Sequence, residues 1–203
     1  MELYPKEESI NILPKDGVVL YFPSFYDEKE CENYLEKLIK EIEWENEVIY
    51  LFGKEITMNR KIAFYADDTI TYTYSKKEKI TKNWNDILFS IKEKIEAKTK
   101  TKYNACLLNL YFDGTDGMGW HSDDENEIIQ NSSIASISFG ADRKFSFKHK
   151  KTKQTHSLIL ENGSLLEMKE DTQKNWLHAL PKTKKIKNIR INLTFRQMKN
   201  KNK

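Results

Sequence analysis

The sequence predicts an α+β fold: a double-stranded β-helix, or jelly roll, backed by two supporting helices. Two observations predict it. Apolar residues recur at helical spacing in two stretches, 27–42 and 84–95, and from Tyr103 onward the period switches to two and stays there. Short turn signals, Asp113-Gly114, Asp116-Gly117, Gly140 and Asn162-Gly163, separate the alternating segments, as they do in antiparallel double-sheet folds.

The elements follow in chain order. Residues 1–16 read as a polar N-terminal tail and 199–203 as a C-terminal tail, which leaves 17–198 as a single domain. Residues 17–25 form a short strand that ends at Pro23, because proline cannot donate to a ladder. Cys31, Tyr34, Leu35, Leu38 and Ile42 place an amphipathic helix over 27–42. The stretch 47–75, rich in Val, Ile, Thr and Tyr and broken at Phe52-Gly53, reads as a hairpin followed by irregular strands. Trp84, Ile87, Leu88, Ile91 and Ile95 repeat the helical pattern behind a cap at Asn83. Strands are then expected over 103–112, 134–139, 144–148, 156–160, 164–168 and 188–197.

Composition narrows the class. Seven Gly and four Pro in 203 residues exclude a fibrous or low-complexity chain, and 12% aromatics supply bulk for one core. No stretch approaches the roughly 18 apolar residues of a membrane span, and residues 1–11 are too charged for a signal peptide. A soluble intracellular protein with no membrane partner, acting as a monomer, is expected. Cys31 and Cys106 lack CxxC spacing and sit in apolar periodic contexts, so buried free thiols are expected. The net charge of +3 hides an asymmetry: from residue 140 onward 17 Lys/Arg stand against 5 Asp/Glu. Such a basic half points to a polyanionic partner.

The chemistry concentrates in a few residues. His121-Ser122-Asp123 follows the turn DGTDGMGW, and residues two apart on extended chain face the same way. His178, in NWLHALP, is a second isolated histidine. Two histidines and one carboxylate leave one face of an octahedral metal open, as non-haem iron oxygenases require. His149 and His156 have no such spacing and read as ordinary strand or turn residues. In RINLTFR, Arg190, Asn192, Thr194 and Arg196 share one strand face, opposite Ile189, Ile191, Leu193 and Phe195. Two guanidinium groups on a barrel strand need an anion, and a dicarboxylate would supply it bidentately. Asn109 and Tyr111 add a second polar pair just upstream of the metal motif.

Together the runs LLNLYFDGTDGMGWHSDDE, SISFGADRKFSFKHK, GSLLEM, NWLHALP and RINLTFR resemble the AlkB family of Fe(II)/2-oxoglutarate-dependent dioxygenases in order and spacing. The runs IYLFGK, NRKIAFYAD and ITYTYS extend the likeness to nearly everything after about residue 17. Specificity rests on the combination HxD…H…RxNxTxR with its upstream NxY. The fuller match points to the DNA-repair branch, which includes nuclear homologues in animals; a nuclear location is implied for a eukaryotic chain and a cytoplasmic one for a prokaryotic chain.

The resemblance implies roles. His121, Asp123 and His178 would bind Fe(II), with 2-oxoglutarate and O₂ as cosubstrates. Arg190 would pair with the distal carboxylate of 2-oxoglutarate, Tyr111 would donate to it, Asn109 and Arg196 would sit by its chelating carboxylate, and Asn192 and Thr194 would complete the wall. Residues 47–75 would form a nucleotide-recognition region in which Tyr72, Thr73 and Tyr74 line a nucleobase slot and Phe52 is an apolar finger entering the base stack. Asp124 would approach the exocyclic amine of a flipped base. Arg143, Lys144, Lys184 and Lys185 are candidate grips on the DNA backbone. The implied reaction is oxidative dealkylation of N-alkylated bases such as 1-methyladenine and 3-methylcytosine in DNA, releasing formaldehyde, succinate and CO₂. In PKTKK, Thr183 stands where the duplex-preferring branch has a cation, so strand preference stays open. Two alternatives also stay open: the same chemistry on RNA or protein, and a non-catalytic nucleic-acid-binding module.

Overall fold

The computed structural model describes residues 10–51, 53–67, 70, 72–74, 77–79 and 81–199. Asp27 starts the first helix: its carboxylate accepts from Glu30 N at 2.8 Å, and the Glu30 side chain accepts from Asp27 N at 3.0 Å. This reciprocal cap, worth about 1 kcal/mol, fixes the entry of α1 (Glu28–Glu41). The second helix, α2 (Asp86–Thr99), is capped by Asn85 and not by Asn83: Asn85 Oδ1 accepts from Leu88 N at 3.0 Å. Trp84 therefore precedes the helix. Either asparagine satisfies the local rule, and the buried faces of Ile87, Leu88, Ile91 and Ile95 decide between them.

Seven strands form the major sheet: β1 (Val18–Phe22), β2 (Glu45–Leu51), β3 (Lys54–Ala66), β6 (Ala105–Tyr111), β8 (Ile134–Gly140), β11 (Leu165–Lys169) and β13 (Arg190–Arg196), in the order β1-β11-β8-β13-β6-β3-β2. The minor sheet orders β10 (Thr155–Leu160), β9 (Arg143–His149), β12 (Trp176–Leu180) and β7 (Met118–His121) as β10-β9-β12-β7. A separate hairpin pairs β4 (Tyr72–Tyr74) with β5 (Lys77–Lys79), and a single turn of helix, α3 (Thr172–Asn175), leads into β12. All these pairings are antiparallel. The jelly roll expected from the alternation is the fold found.

Two apolar layers hold it together. Helix residues Leu38, Leu88, Ile91 and Ile95 pack on one face of the major sheet against Leu108, Leu110, Ile191, Leu193 and Phe195. On the other face Val19, Leu166 and Met168 meet Phe147, Leu160 and Trp176 of the minor sheet. Strand β13 is buried on both faces, so its apolar side serves the helix layer and Arg190, Asn192, Thr194 and Arg196 point between the sheets.

Two expectations need correction, and two strands were not expected. Residues 11–16 are no loose tail: Leu13 is buried in the inter-sheet core, Asn11 Oδ1 accepts from Leu13 N and Val19 N, and the Trp176 indole donates to Lys15 O. The irregular strands expected within 47–75 include one continuous 13-residue strand, β3, paired on both sides by β2 and β6. Strands β7 and β12 carry the metal motif and its partner, yet are too short and too mixed in polarity to show alternation. Among the described residues, no helix is long and apolar enough to cross a membrane.

Candidate active site

Pairing of β7 with β12 sets His121 opposite His178, and their rings lie 4.3 Å apart at their centroids. Asp123 follows β7 with its carboxylate buried, so that Oδ1 is 3.7 Å from His121 Nε2 and 3.8 Å from His178 Nε2. One ligand atom from each residue lies within 4.8 Å of the others, the convergence that two imidazoles and a carboxylate need to share one metal ion. The His121 Nδ1–H donates to Gly119 O at 2.8 Å, which leaves the Nε2 lone pair for a metal. Burial pushes His178 down to about 3, so its ring is neutral and able to ligate. Burial would raise the Asp123 carboxyl, but Arg196, aided by both histidines, outweighs it and holds the group at about 2. Arg196 Nη2 donates to Asp123 Oδ2 at 2.9 Å and leaves Oδ1 facing the histidines.

Neighbouring residues fix this turn. Asp123 N donates to Gln173 Oε1 at 2.9 Å, and Lys150 Nζ donates to Gln173 O at 2.8 Å and Ser122 Oγ at 3.0 Å. Phe145 stacks on the His178 ring at 5.5 Å. Neither Gln173 nor Lys150 stood out in the sequence, because their roles depend on α3 and β9 meeting the metal turn.

Between the metal residues and Arg190 lies a narrow cavity of about 60 Å³, reached by Asn109, Tyr111, Ser136, Asn192 and Thr194. Register places Arg190 opposite Tyr111 and Asn192 opposite Asn109. Arg190 is 2% exposed, and burial lowers its pKa to about 10. Its Nη2 donates to Ser138 Oγ at 2.9 Å, its guanidinium lies 5.4 Å over the Tyr111 ring, and its Nε has no hydrogen-bond partner among the described residues. A buried cation without an acid calls for an anionic ligand. Asn192 Nδ2 donates to Ser136 Oγ and Ile137 O at 2.8 and 3.0 Å, and Thr194 Oγ1 to Asn192 Oδ1 at 3.2 Å. Sequence reasoning missed Ser136 and Ser138; their signal was two small hydroxyls alternating along SISFG.

A second cavity, of about 250 Å³, opens on the other side of the metal residues. Its apolar wall includes Ile62, Phe64, Leu107 and Met118, and its polar rim includes Glu47, Asp124 and Glu125. The Asp124 carboxylate is exposed and accepts from Ser122 Oγ at 2.9 Å. Glu125 escaped the sequence reading although it is the third acid of HSDDE: burial raises its pKa, and its buried Oε2 has no hydrogen-bond partner among the described residues. Also missed was a buried ion pair between Glu47 and Arg60. Arg60 Nη1 reaches Gly117 O at 3.4 Å, which ties the β2–β3 hairpin to the start of β7. Phe52 lies outside the described residues. Tyr72, Thr73 and Tyr74 form β4, and their side chains are not among those described.

Of the four backbone grips expected, Lys144, Lys184 and Lys185 are exposed. Arg143 is a correction. It is 1% exposed, and its guanidinium donates to the carbonyls of Asp113, Asp116 and Pro181 at 3.2, 2.8 and 3.0 Å. It staples two loops and cannot reach a phosphate. Arg143→Met should therefore destabilise the fold by about 2 kcal/mol, since it leaves these carbonyls without a donor. Urea denaturation measures this, and an unchanged midpoint would show that the staple contributes nothing.

Jelly-roll sheets closing on a two-histidine, one-carboxylate group define a mononuclear metal oxygenase. The comparisons agree. The model of the 2OG-Fe(II) oxygenase superfamily matches residues 18–196. The chain is 36% identical over 194 residues to cattle (Bos taurus) DNA oxidative demethylase ALKBH2, covering 90% of this chain and 70% of that protein. It is 34% identical over 188 residues to mouse alpha-ketoglutarate-dependent dioxygenase alkB homolog 3, covering 88% and 65%. A solved structure described as "The structure of OsALKBH1" superposes with a TM-score of 0.63 at 16% identity, covering 88% of this chain and 97% of that one. The chain belongs to the 2OG-Fe(II) oxygenase superfamily and, within it, to the AlkB family. The residues present fit the family's Fe(II) and 2-oxoglutarate: three convergent ligand atoms suit the metal, and the acid-free Arg190 suits the distal carboxylate.

Proposed function

We propose that the protein oxidatively dealkylates N-alkylated bases in DNA, with 1-methyladenine and 3-methylcytosine as typical substrates. One observation carries this reading. The narrow cavity ending at Arg190 and the wider one rimmed by Asp124 and Glu125 share His121 and Asp123 as a common wall. A cosubstrate in the first and a base in the second would meet at one metal. Curated relatives whose names specify DNA oxidative demethylation support the choice of substrate.

Iron(II), 2-oxoglutarate and O₂ together supply the oxidising power that hydroxylates an N-methyl group, after which the product releases formaldehyde. The chain does the positioning. His121, Asp123 and His178 would hold the metal, while Arg196 orients Asp123 and keeps it ionised. Arg190 and Tyr111 would anchor the distal carboxylate, and Asn109 would line the way to the metal. Ile62, Phe64 and Leu107 exclude water around the base. Methylation at adenine N1 or cytosine N3 makes the base cationic, and Asp124 and Glu125 offer carboxylate oxygens to that charge and to the exocyclic amine. These lesions cannot form Watson–Crick pairs, which lowers the cost of extruding them.

Formaldehyde release from methylated DNA, methylated RNA and a methylated peptide, offered in competition, tests the substrate class. DNA should be turned over fastest; turnover of the peptide alone would overturn the reading. Phe52, which the family resemblance makes an apolar finger, carries a second test. Phe52→Ala should impair dealkylation in duplexes far more than in single strands, because opening a stack costs roughly a few kcal/mol that a single strand does not require. Equal impairment of both would mean that Phe52 serves the fold or the pocket.

A further inference from the structure

The residue before His121 is exposed and lies outside the active site. Trp120 is 42% exposed, although tryptophan is usually well buried. Strand β7 is an edge of the minor sheet. His121 faces His178 inside the roll, so Trp120, one residue earlier, faces out. Among the described residues its indole N–H has no hydrogen-bond partner, and its aromatic contact is with a cation: Lys148 Nζ lies 4.4 Å from the ring centroid. Lys148 comes from β9, opposite Leu177 of β12, on the same outer face. At the start of β7, Lys182 packs against Gly117, and Lys184, Lys185 and Lys187 follow it on the exposed loop.

We propose that Trp120 and Lys148 form a stacking platform that holds an unpaired nucleotide of the lesion-bearing DNA strand just outside the active site. This deepens the proposed function and rests on it. Stacking on an aromatic ring is tolerant of base identity, and a nearby ammonium neutralises the adjoining phosphate, the pairing used by proteins that bind single strands. The free indole N–H can donate to a phosphate or sugar oxygen. Lys148 against the ring supplies the charge complementarity, and an edge strand leaves room for a chain to run beside it. Because Trp120 adjoins His121 in sequence, a base held there fixes the strand one step from the metal.

The test is binding of a dye-labelled, unmodified single-stranded DNA by fluorescence anisotropy, with the full chain. Trp120→Ala should weaken binding by about tenfold, near the lower end of what one base–aromatic stack contributes, and Trp120→Phe should stay within about threefold of wild type. Lys148→Gln should lower the slope of log K against log salt by about 0.7, the share of one phosphate contact on a single strand. Trp120→Ala binding as well as wild type overturns the platform, as does Trp120→Phe falling as far as Trp120→Ala. Formaldehyde release from a methylated oligonucleotide, measured in parallel, separates the two ideas. Release with unaltered Trp120→Ala binding removes the platform alone; no release from any nucleic acid by the wild type removes both.

Discussion

His121→Ala is expected to lower 2-oxoglutarate-dependent turnover by at least about a thousandfold, roughly 4 kcal/mol of transition-state stabilisation. In the proposed site the imidazole would be one of two nitrogen ligands, and its Nε2 is aimed by the Nδ1–H bond to Gly119 O. Among the described residues no neighbour is placed to replace it: Asp124 is engaged by Ser122, and Glu125 lines the wider cavity. The fold should survive, because β7 is an edge strand and the His121 side chain is 35% exposed. Succinate formation and circular dichroism separate the two effects. Near-normal turnover in the folded variant would end the assignment of the metal site.

Arg190 should show the second large effect. Arg190→Lys keeps the charge but loses the planar fork, and the apparent KM for 2-oxoglutarate should rise by about tenfold; Arg190→Met, which removes the charge, should raise it by about a hundredfold. The reason lies in what surrounds the group. Ser138 and Tyr111 offer it neutral oxygens, and no carboxylate of the described chain neutralises it. A ligand carboxylate would then be the acid that pairs with Arg190. Tight 2-oxoglutarate binding by Arg190→Met would place the cosubstrate elsewhere.

Much of this site was legible before any coordinates. Alternation in RINLTFR separated the residues that face the helices from those that face the cavity between the sheets, because a strand has a strict period of two. HxD, one distant histidine and the family resemblance singled out three side chains that do converge, His121, Asp123 and His178. What sequence could not give were contacts made by register. Glu47 and Arg60 meet only because β2 and β3 form a hairpin, and Lys150 meets Ser122 and Gln173 only because the end of β9 and α3 come together at that turn. Arg143 misled for a related reason: a basic residue in a Lys-rich run reads as surface, and the carbonyls that bury it come from loops around residues 113–116 and 181. Residues 11–16 look polar and loose, yet Leu13 and Asn11 are fixed by β1. The two helices were found well, although the choice between Asn83 and Asn85 as cap was settled by packing.

The central claim is that one metal group joins a 2-oxoglutarate cavity to a base cavity. Mass spectrometry of a single-stranded oligonucleotide carrying one 1-methyladenine tests it most directly, with succinate and formaldehyde measured in the same reaction. The account predicts loss of the methyl group only when Fe(II) and 2-oxoglutarate are both present, with one succinate and one formaldehyde for each base restored. Succinate formed while every methylated base stays intact, or methyl loss without 2-oxoglutarate, would contradict it.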